Sequence, residues 1–142
     1  MFVLIVGCGR VGSAVAKSML GDGHDVSVLD EDPEAIALLE GGSGSSWEET
    51  GGMFTVGTAI EMDALVEAGI ERADAFVAST DGDNTNLVVA QIARRRFDVS
   101  TVVVRVLDPA RARWYREQGL QTICPTAVAI DMLTEAVREA AA

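Results

Sequence analysis

The chain has 142 residues, the size of one α/β domain and too short for two. Eleven Lys+Arg against 22 Asp+Glu give a net charge of −11, which repels phosphate backbones and anionic membrane surfaces and so argues against nucleic acid as a partner. With 49% hydrophobic residues the chain can build a core of its own, and no apolar run is long enough to span a bilayer.

Phe2–Val6 is a short apolar run that suits a strand buried on both faces, and Val11–Leu20 follows with helical periodicity. The alternation continues, with strands expected at Asp25–Leu29, Met53–Val56, Ala75–Ser79, Thr101–Val106 and Gln121–Cys124. Helices are expected at Pro33–Leu39, Met62–Ala68, Asn84–Arg95, Pro109–Gln118 and Ala127–Ala140, with Pro33 and Pro109 where a first helical turn accepts proline. Repeated β-α units predict a Rossmann-type, doubly wound, parallel six-stranded sheet with right-handed crossovers, as a single domain over 1–142. One segment, 41–52, is too rich in Gly and Ser to be a regular element. It is expected to be a flexible loop, either a lid or a surface insertion, with composition favouring the insertion and Trp47 the only sign otherwise. The last helix runs to Ala142 with no Gly or Pro stop, as a helix cut short or one meant to continue. Cys8 and Cys124 fall in segments expected to be buried and form no metal-binding spacing, which fits a reducing, cytoplasmic setting.

Directly after the first strand comes Gly7-Cys8-Gly9-Arg10-Val11-Gly12, a G-x-G-x-x-G that opens the first helix. Gly7 permits the tight turn, Gly9 lets the backbone approach a pyrophosphate, and Gly12 lets the helix pack close. The helix start then offers free N–H groups and a partial positive charge. Asp30 closes the second strand at the spacing where a carboxylate accepts ribose hydroxyls, which favours NAD(H) over NADP(H). Glu31 stands beside it in the candidate ribose site, although it also reads, like Asp32, as a solvated acid at a helix start.

Ligands of open α/β sheets sit at the carboxyl ends of the strands. Thr58 and Ala59 follow the third strand, and Ser79, Thr80 and Asp81 follow the fourth, so all five are candidates to border a nucleotide. Thr80 or Asp81 can equally serve as a helix cap. Arg105, in an otherwise apolar strand, needs a partner, which is either structural (Asp81 or Asp108) or a ligand phosphate. Arg10 either meets a phosphate or is simply solvated. Catalytic material is scarce: Lys17, His24 and Tyr115 are the only residues of their kinds, and none is expected near the ligand.

The chain resembles the nucleotide-binding N-terminal domain of the Trk/Ktr potassium-uptake regulators, the regulator-of-conductance-of-potassium (RCK) family. The resemblance covers almost all of it. It is carried by 6–12, Val28-Leu29-Asp30-Glu31-Asp32-Pro33, Gly57-Thr58-Ala59 with 65–70, 74–81 with Asn84 and Asn86, Arg105-Val106-Leu107-Asp108-Pro109, and Gly119-Leu120. It implies a cytoplasmic gating subunit, not an enzyme, that binds NAD(H) or ATP/ADP and assembles as a homodimer or higher ring. Such a subunit signals to a membrane-embedded potassium transporter or channel at the inner face of the membrane. The resemblance places phosphates over Gly7, Gly9, Arg10, Val11 and Gly12, ribose on Asp30, adenine near Thr58 and Ala59, and Thr80 and Asp81 along the rest of the pocket, with Cys8 and Ser79 counted among the candidate site residues beside them. In ATP-binding members the arginine matching Arg10 reaches a terminal phosphate across the dimer. Two departures stand out: Thr58 replaces the family's usual Asp, and the 41–52 loop is longer. The family's C-terminal domain is absent, so the chain is expected to be an N-domain fragment, with 127–140 leading toward that domain, or a one-domain member. The competing readings are the cofactor domain of an NAD-dependent dehydrogenase and, more remotely, a redox-sensing transcription regulator.

Overall fold

Apolar residues at every position of Phe2–Val6 make β1 a strand that must be covered on both faces, and all five are buried. The computed structural model describes residues 1–42 and 44–142; Ser43, within the predicted loop, lies outside the described residues. After β1 come α1 (Arg10–Gly21), β2 (Asp25–Asp30), a 3₁₀ turn at Pro33–Ala35 and α2 (Ile36–Glu40). Then follow β3 (Met53–Val56), α3 (Met62–Glu67), β4 (Ala75–Ala78), α4 (Asp83–Arg95), β5 (Thr101–Arg105), α5 (Pro109–Glu117), β6 (Gln121–Ile123) and α6 (Pro125–Ala141). Every strand pair is parallel and the order is β3-β2-β1-β4-β5-β6. This is the doubly wound arrangement expected from the alternation, with the strand order reversing at β1 and β4.

The pleat divides the core in two, because alternate residues of a strand face opposite sides. Leu4, Val6, Leu29 and Phe76 pack with Leu65 of α3 and Leu87, Val89 and Ala90 of α4. Val3, Ile5, Val26 and Val28 pack on the other face with Ala16 of α1 and Leu39 of α2. Register brings Val6 level with Leu29 on one side and Ala78 on the other, so β1 and β4 end level and β2 runs one residue further, to Asp30. Differences from expectation are confined to element ends. The helix expected over Pro33–Leu39 is split, because its first turn is 3₁₀ and capped by the Asp32 carboxylate on the Glu34 N–H. The final helix starts two residues early, with Pro125 in its first turn and the Cys124 thiol accepting from the Ala127 N–H at 3.4 Å. No residue of α6 is buried, and Ile130, Met132, Leu133 and Val137 are among its exposed side chains.

The segment before β3 is built around one side chain. Trp47 is 1% exposed and packs in the α1/α2 half of the core. Its indole N–H donates to the Met53 carbonyl at 2.9 Å and its backbone N–H to the Glu40 carboxylate at 2.7 Å. Ser46 and Glu49 exchange side-chain and backbone bonds, a reciprocal cap of the S-x-x-E kind. Gly52 lies against the indole where a Cβ would strike the ring. This Trp47-centred turn precedes β3, which begins at the amino edge of the sheet.

Trp47→Ala is expected to lower the unfolding free energy by about 3–5 kcal/mol, the usual cost of deleting a buried aromatic. Trp114, 55% exposed, provides the contrast: Trp114→Ala is expected to shift the denaturant midpoint far less.

Candidate functional site

A cleft of about 720 Å³ opens at the carboxyl edge, over the ends of β1, β2, β3 and β4, within the range of small-molecule sites. Its floor is the glycine turn. Gly7 has φ +102, and a Cβ there would sit 2.7 Å from the backbone of Ser79 and Thr80. Gly12 faces back on the turn, where a Cβ would collide with the Gly7 carbonyl. Gly9 is different: a Cβ would meet nothing within 4 Å, so its α-carbon faces open space and ligand-sized groups can approach the backbone. Gly9 is also the residue that starts α1, and no side chain caps that end. The first helical bond is Ser13 N–H to Gly9 C=O at 2.9 Å, which leaves the amides of Arg10, Val11 and Gly12 without intrahelical acceptors at the start of α1, next to Gly9 on the cleft floor.

Asp30 is half-buried at the end of β2, with its Oδ2 accepting from the Cys8 N–H at 2.7 Å and its Oδ1 from the Asp32 N–H at 2.8 Å. The carboxylate thus ties the glycine turn to the β2–α2 turn, a duty the sequence did not reveal, and each oxygen keeps lone-pair capacity for a ligand hydroxyl. Gly57 N–H donates to the Asp30 carbonyl at 3.0 Å, which places Thr58 and Ala59 beside it as the next wall. Ala35, Leu38, Ala59 and Ile60 make that end of the cleft apolar. Burial first, and then the charge of Asp30, push the Cys8 thiol up to about 11, with Lys17 opposing. Cys8 is therefore protonated at neutral pH and donates to the Ala35 carbonyl at 3.4 Å. It is a turn residue and not a nucleophile.

The opposite wall is a polar network. The Ser79 hydroxyl is 3.2 Å from both the Val6 and Gly7 carbonyls. Asn86, 1% exposed, accepts from the Thr80 N–H at 2.9 Å and the Thr80 hydroxyl at 2.6 Å. Its amide donates to the Thr80 and Arg105 carbonyls, both at 3.0 Å. Arg105 donates to the Thr80 carbonyl at 2.7 Å and pairs with Asp81 at 3.4 Å. Of the candidates, Gly7, Cys8, Gly9, Asp30, Glu31, Thr58, Ala59, Ser79, Thr80 and Asp81 converge on the cleft. Arg10, Val11, Gly12 and Arg105 do not line it: Arg10 and Val11 are exposed, Gly12 packs beneath the turn, and Arg105 braces the wall from behind. Arg105 thus has a structural partner in Asp81, while its buried Nε has no hydrogen-bond partner among the described residues. Asp32, Glu34 and Ile60 were not singled out, although each lies within a few residues of a strand end, and Leu38 is brought to the cleft from α2.

The remaining titratable residues stand apart from the cleft. Lys17 donates to the Leu38 carbonyl at 3.0 Å. His24 faces the N-terminal amine at 3.4 Å, and Tyr115 packs edge-on to Trp114. No group of three or more His, Cys, Asp or Glu suited to a metal ion is found among the described residues, and none of their helices is long and apolar enough to cross a membrane.

A family model described as the TrkA-N domain matches residues 3–126. A curated relative from Streptomyces coelicolor, described as Trk system potassium uptake protein TrkA, is 44% identical over 123 residues, 87% of this chain and 52% of the relative. The chain spans about half the length of the curated relatives it matches. Among solved structures, the Kef C-terminal domain of Shewanella denitrificans in its AMP-bound form is 24% identical with a TM-score of 0.76, over 97% of this chain and 80% of that one. The GsuK channel bound to NAD is 18% identical with a TM-score of 0.66, over 87% and 21%. At these identities the two structures show a shared fold.

Asn86→Ala removes the acceptor of the Thr80 N–H and hydroxyl and the side-chain donor to the Arg105 carbonyl, while the Thr80 carbonyl keeps Arg105, and is expected to cost about 2–4 kcal/mol of stability in urea unfolding. A change below about 0.5 kcal/mol would mean that the wall does not depend on it.

Proposed function

The chain belongs to the TrkA-N domain family, and on that premise we propose that it is a nucleotide-sensing, non-catalytic module of a potassium-uptake system. The observation that carries this reading is the cleft itself: an uncapped helix start and an open Gly9 on its floor, with the Asp30 carboxylate at its lip. The unpaired amides of Arg10, Val11 and Gly12 would hold phosphate, joined by the helix dipole. Asp30 would accept ribose hydroxyls, and an adenine ring would lie in the apolar slot between Ala35, Leu38, Ala59 and Ile60. NAD(H) and ATP/ADP are the ligand classes that suit such a site, in line with the AMP and NAD carried by the two solved neighbours.

The signal would leave through the wall on the β4 side. Asp83 accepts from the Leu107 N–H at 2.7 Å and the Asp108 N–H at 3.1 Å, so the β4–α4 turn is tied to the β5–α5 turn. The Cys124 thiol approaches the Leu107 carbonyl at 3.6 Å and caps α6. A ligand that moves Thr80 and Asp81 thereby biases the position of an exposed helix. Two nucleotides with different affinities for the two positions would set the balance between them. The reader of that balance would be a membrane-embedded potassium transporter or channel, with this module on the cytoplasmic side in a homodimer or larger ring. Chemistry on the ligand is not part of this role, because Lys17, His24 and Tyr115 all stand off the cleft.

Calorimetric titration with NAD⁺, NADH, NADPH, ATP and ADP, with light scattering on each mixture, tests the proposal. Binding of NAD(H) or ATP/ADP that alters assembly without turnover is expected; tight binding of NADPH, or none of any nucleotide, would refute it. Gly9→Val fills the open space on the floor, so it is expected to keep the thermal midpoint and lose binding. Asp30→Ala is expected to weaken binding by about 1.5–3 kcal/mol, with some loss of stability because two backbone N–H groups lose their acceptor.

A further inference from the structure

A second hollow lies at the opposite, amino edge of the sheet, where β5 and β6 begin. β6 starts late: its first residue, Gln121, stands level with Val103, so Thr101 and Val102 extend past it. The groove this leaves holds about 370 Å³, within the range of small-molecule sites. Buried Val99, Val102 and Leu120 give it an apolar floor. Opposite charges line it without satisfying each other. Arg94 and Asp98 form no ion pair, and the Asp98 carboxylate accepts no hydrogen bond among the described residues. Arg94 spends one N–H on the Gly119 carbonyl at 2.9 Å and keeps the others. The backbone adds a further donor. Thr101 N–H donates to the Asp74 carbonyl at 3.2 Å, on the β4 side, so the alternation of the strand turns the Val102 N–H the other way, toward Gly119. That N–H has no hydrogen bond among the described residues, although Val102 is only 7% exposed. Backbone N–H groups of buried residues are nearly always paired.

From the two charges left apart and the amide left without an acceptor, we infer that this groove is a second ligand site, for a small zwitterion of the amino-acid class. The ligand's carboxylate meets the free N–H groups of Arg94 and the Val102 amide, its ammonium meets the Asp98 carboxylate, and an apolar side chain lies on the floor of Val99, Val102 and Leu120. A charge-assisted bond at each end makes recognition depend on both ends at once. A ligand that carries only one of them leaves the other charge of the groove unanswered. The site shares no residue with the carboxyl-edge cleft and stands whether or not that cleft takes a nucleotide. It also gives Arg94 a part beyond offsetting the dipole at the end of α4.

The test is NMR titration of the labelled chain with three probes: L-valine, isovalerate, which is the same skeleton without the ammonium, and isobutylamine, which lacks the carboxylate. Valine is expected to shift the amides of Ser100, Thr101, Val102 and Gln121, with Val102 moving most. Isovalerate and isobutylamine are each expected to bind at least about tenfold more weakly, since each forfeits one charge-assisted bond. Arg94→Gln and Asp98→Asn both change exposed side chains, and Asn tolerates the left-handed backbone of position 98, φ +52. Both variants are therefore expected to keep the thermal midpoint close to that of the parent and to weaken valine about threefold or more. Isovalerate or isobutylamine binding as tightly as valine, or valine affinity unmoved in both variants, would overturn the zwitterion reading. Valine shifts missing from these amides, or centred on the glycine turn, would overturn the site itself.

Discussion

Three backbone segments meet at the glycine turn with no room between them. The end of β1 turns over the Ser79–Thr80 backbone at Gly7, and α1 packs back onto the Gly7 carbonyl at Gly12. That contact admits no Cβ at either position, and it fixes where the α1 axis points. Because α1 must leave the turn at that angle, its uncapped start faces the carboxyl edge of the sheet, where β1 and β4 part. The cleft follows from strand order and from this contact, since crossovers on opposite faces of the sheet leave a gap at the point where the order reverses.

Around that floor, polar side chains serve as ties between loops that the sheet alone would leave loose. Asp30 binds the β1–α1 turn to the β2–α2 turn, Asn86 binds β4 to β5, and Asp83 binds the next pair of turns. Buried polar groups of this kind are costly when unpaired and specific when paired. Together with Cys124 they link Asp30, the β4 side and α6 by polar contacts. In the proposed role, a nucleotide acts at one end of these contacts and an exposed helix answers at the other.

Much of the fold was legible in the sequence, because apolar runs of four to six residues alternating with helical periods leave few topologies open. The glycine turn and Asp30 were legible for the same reason: their spacing has meaning only after one strand and before a helix. Arg105 was not, since its partners Thr80 and Asp81 lie 25 and 24 residues away and either a carboxylate or a phosphate would satisfy a guanidinium. Trp47 was obscured differently. Its neighbours Ser46 and Glu49 spell a reciprocal cap, but the Gly and Ser around them dominate any reading by composition. The two-sided role of Asp30 was also hidden, because a sequence shows which groups can accept hydrogen bonds and not which donors the fold brings to them.

The central claim is that an adenine nucleotide occupies the carboxyl-edge cleft with its phosphates on the start of α1. Backbone amide chemical shifts of the labelled protein, followed by NMR during titration with NAD⁺, test it most directly. The account predicts that the largest shifts fall at Gly9, Arg10, Val11 and Gly12, with further changes at Asp30, Thr58, Ala59 and Thr80. Shifts centred instead on the amino edge, around Arg94, Ser100 and Gly119, with the glycine turn unmoved, would contradict it.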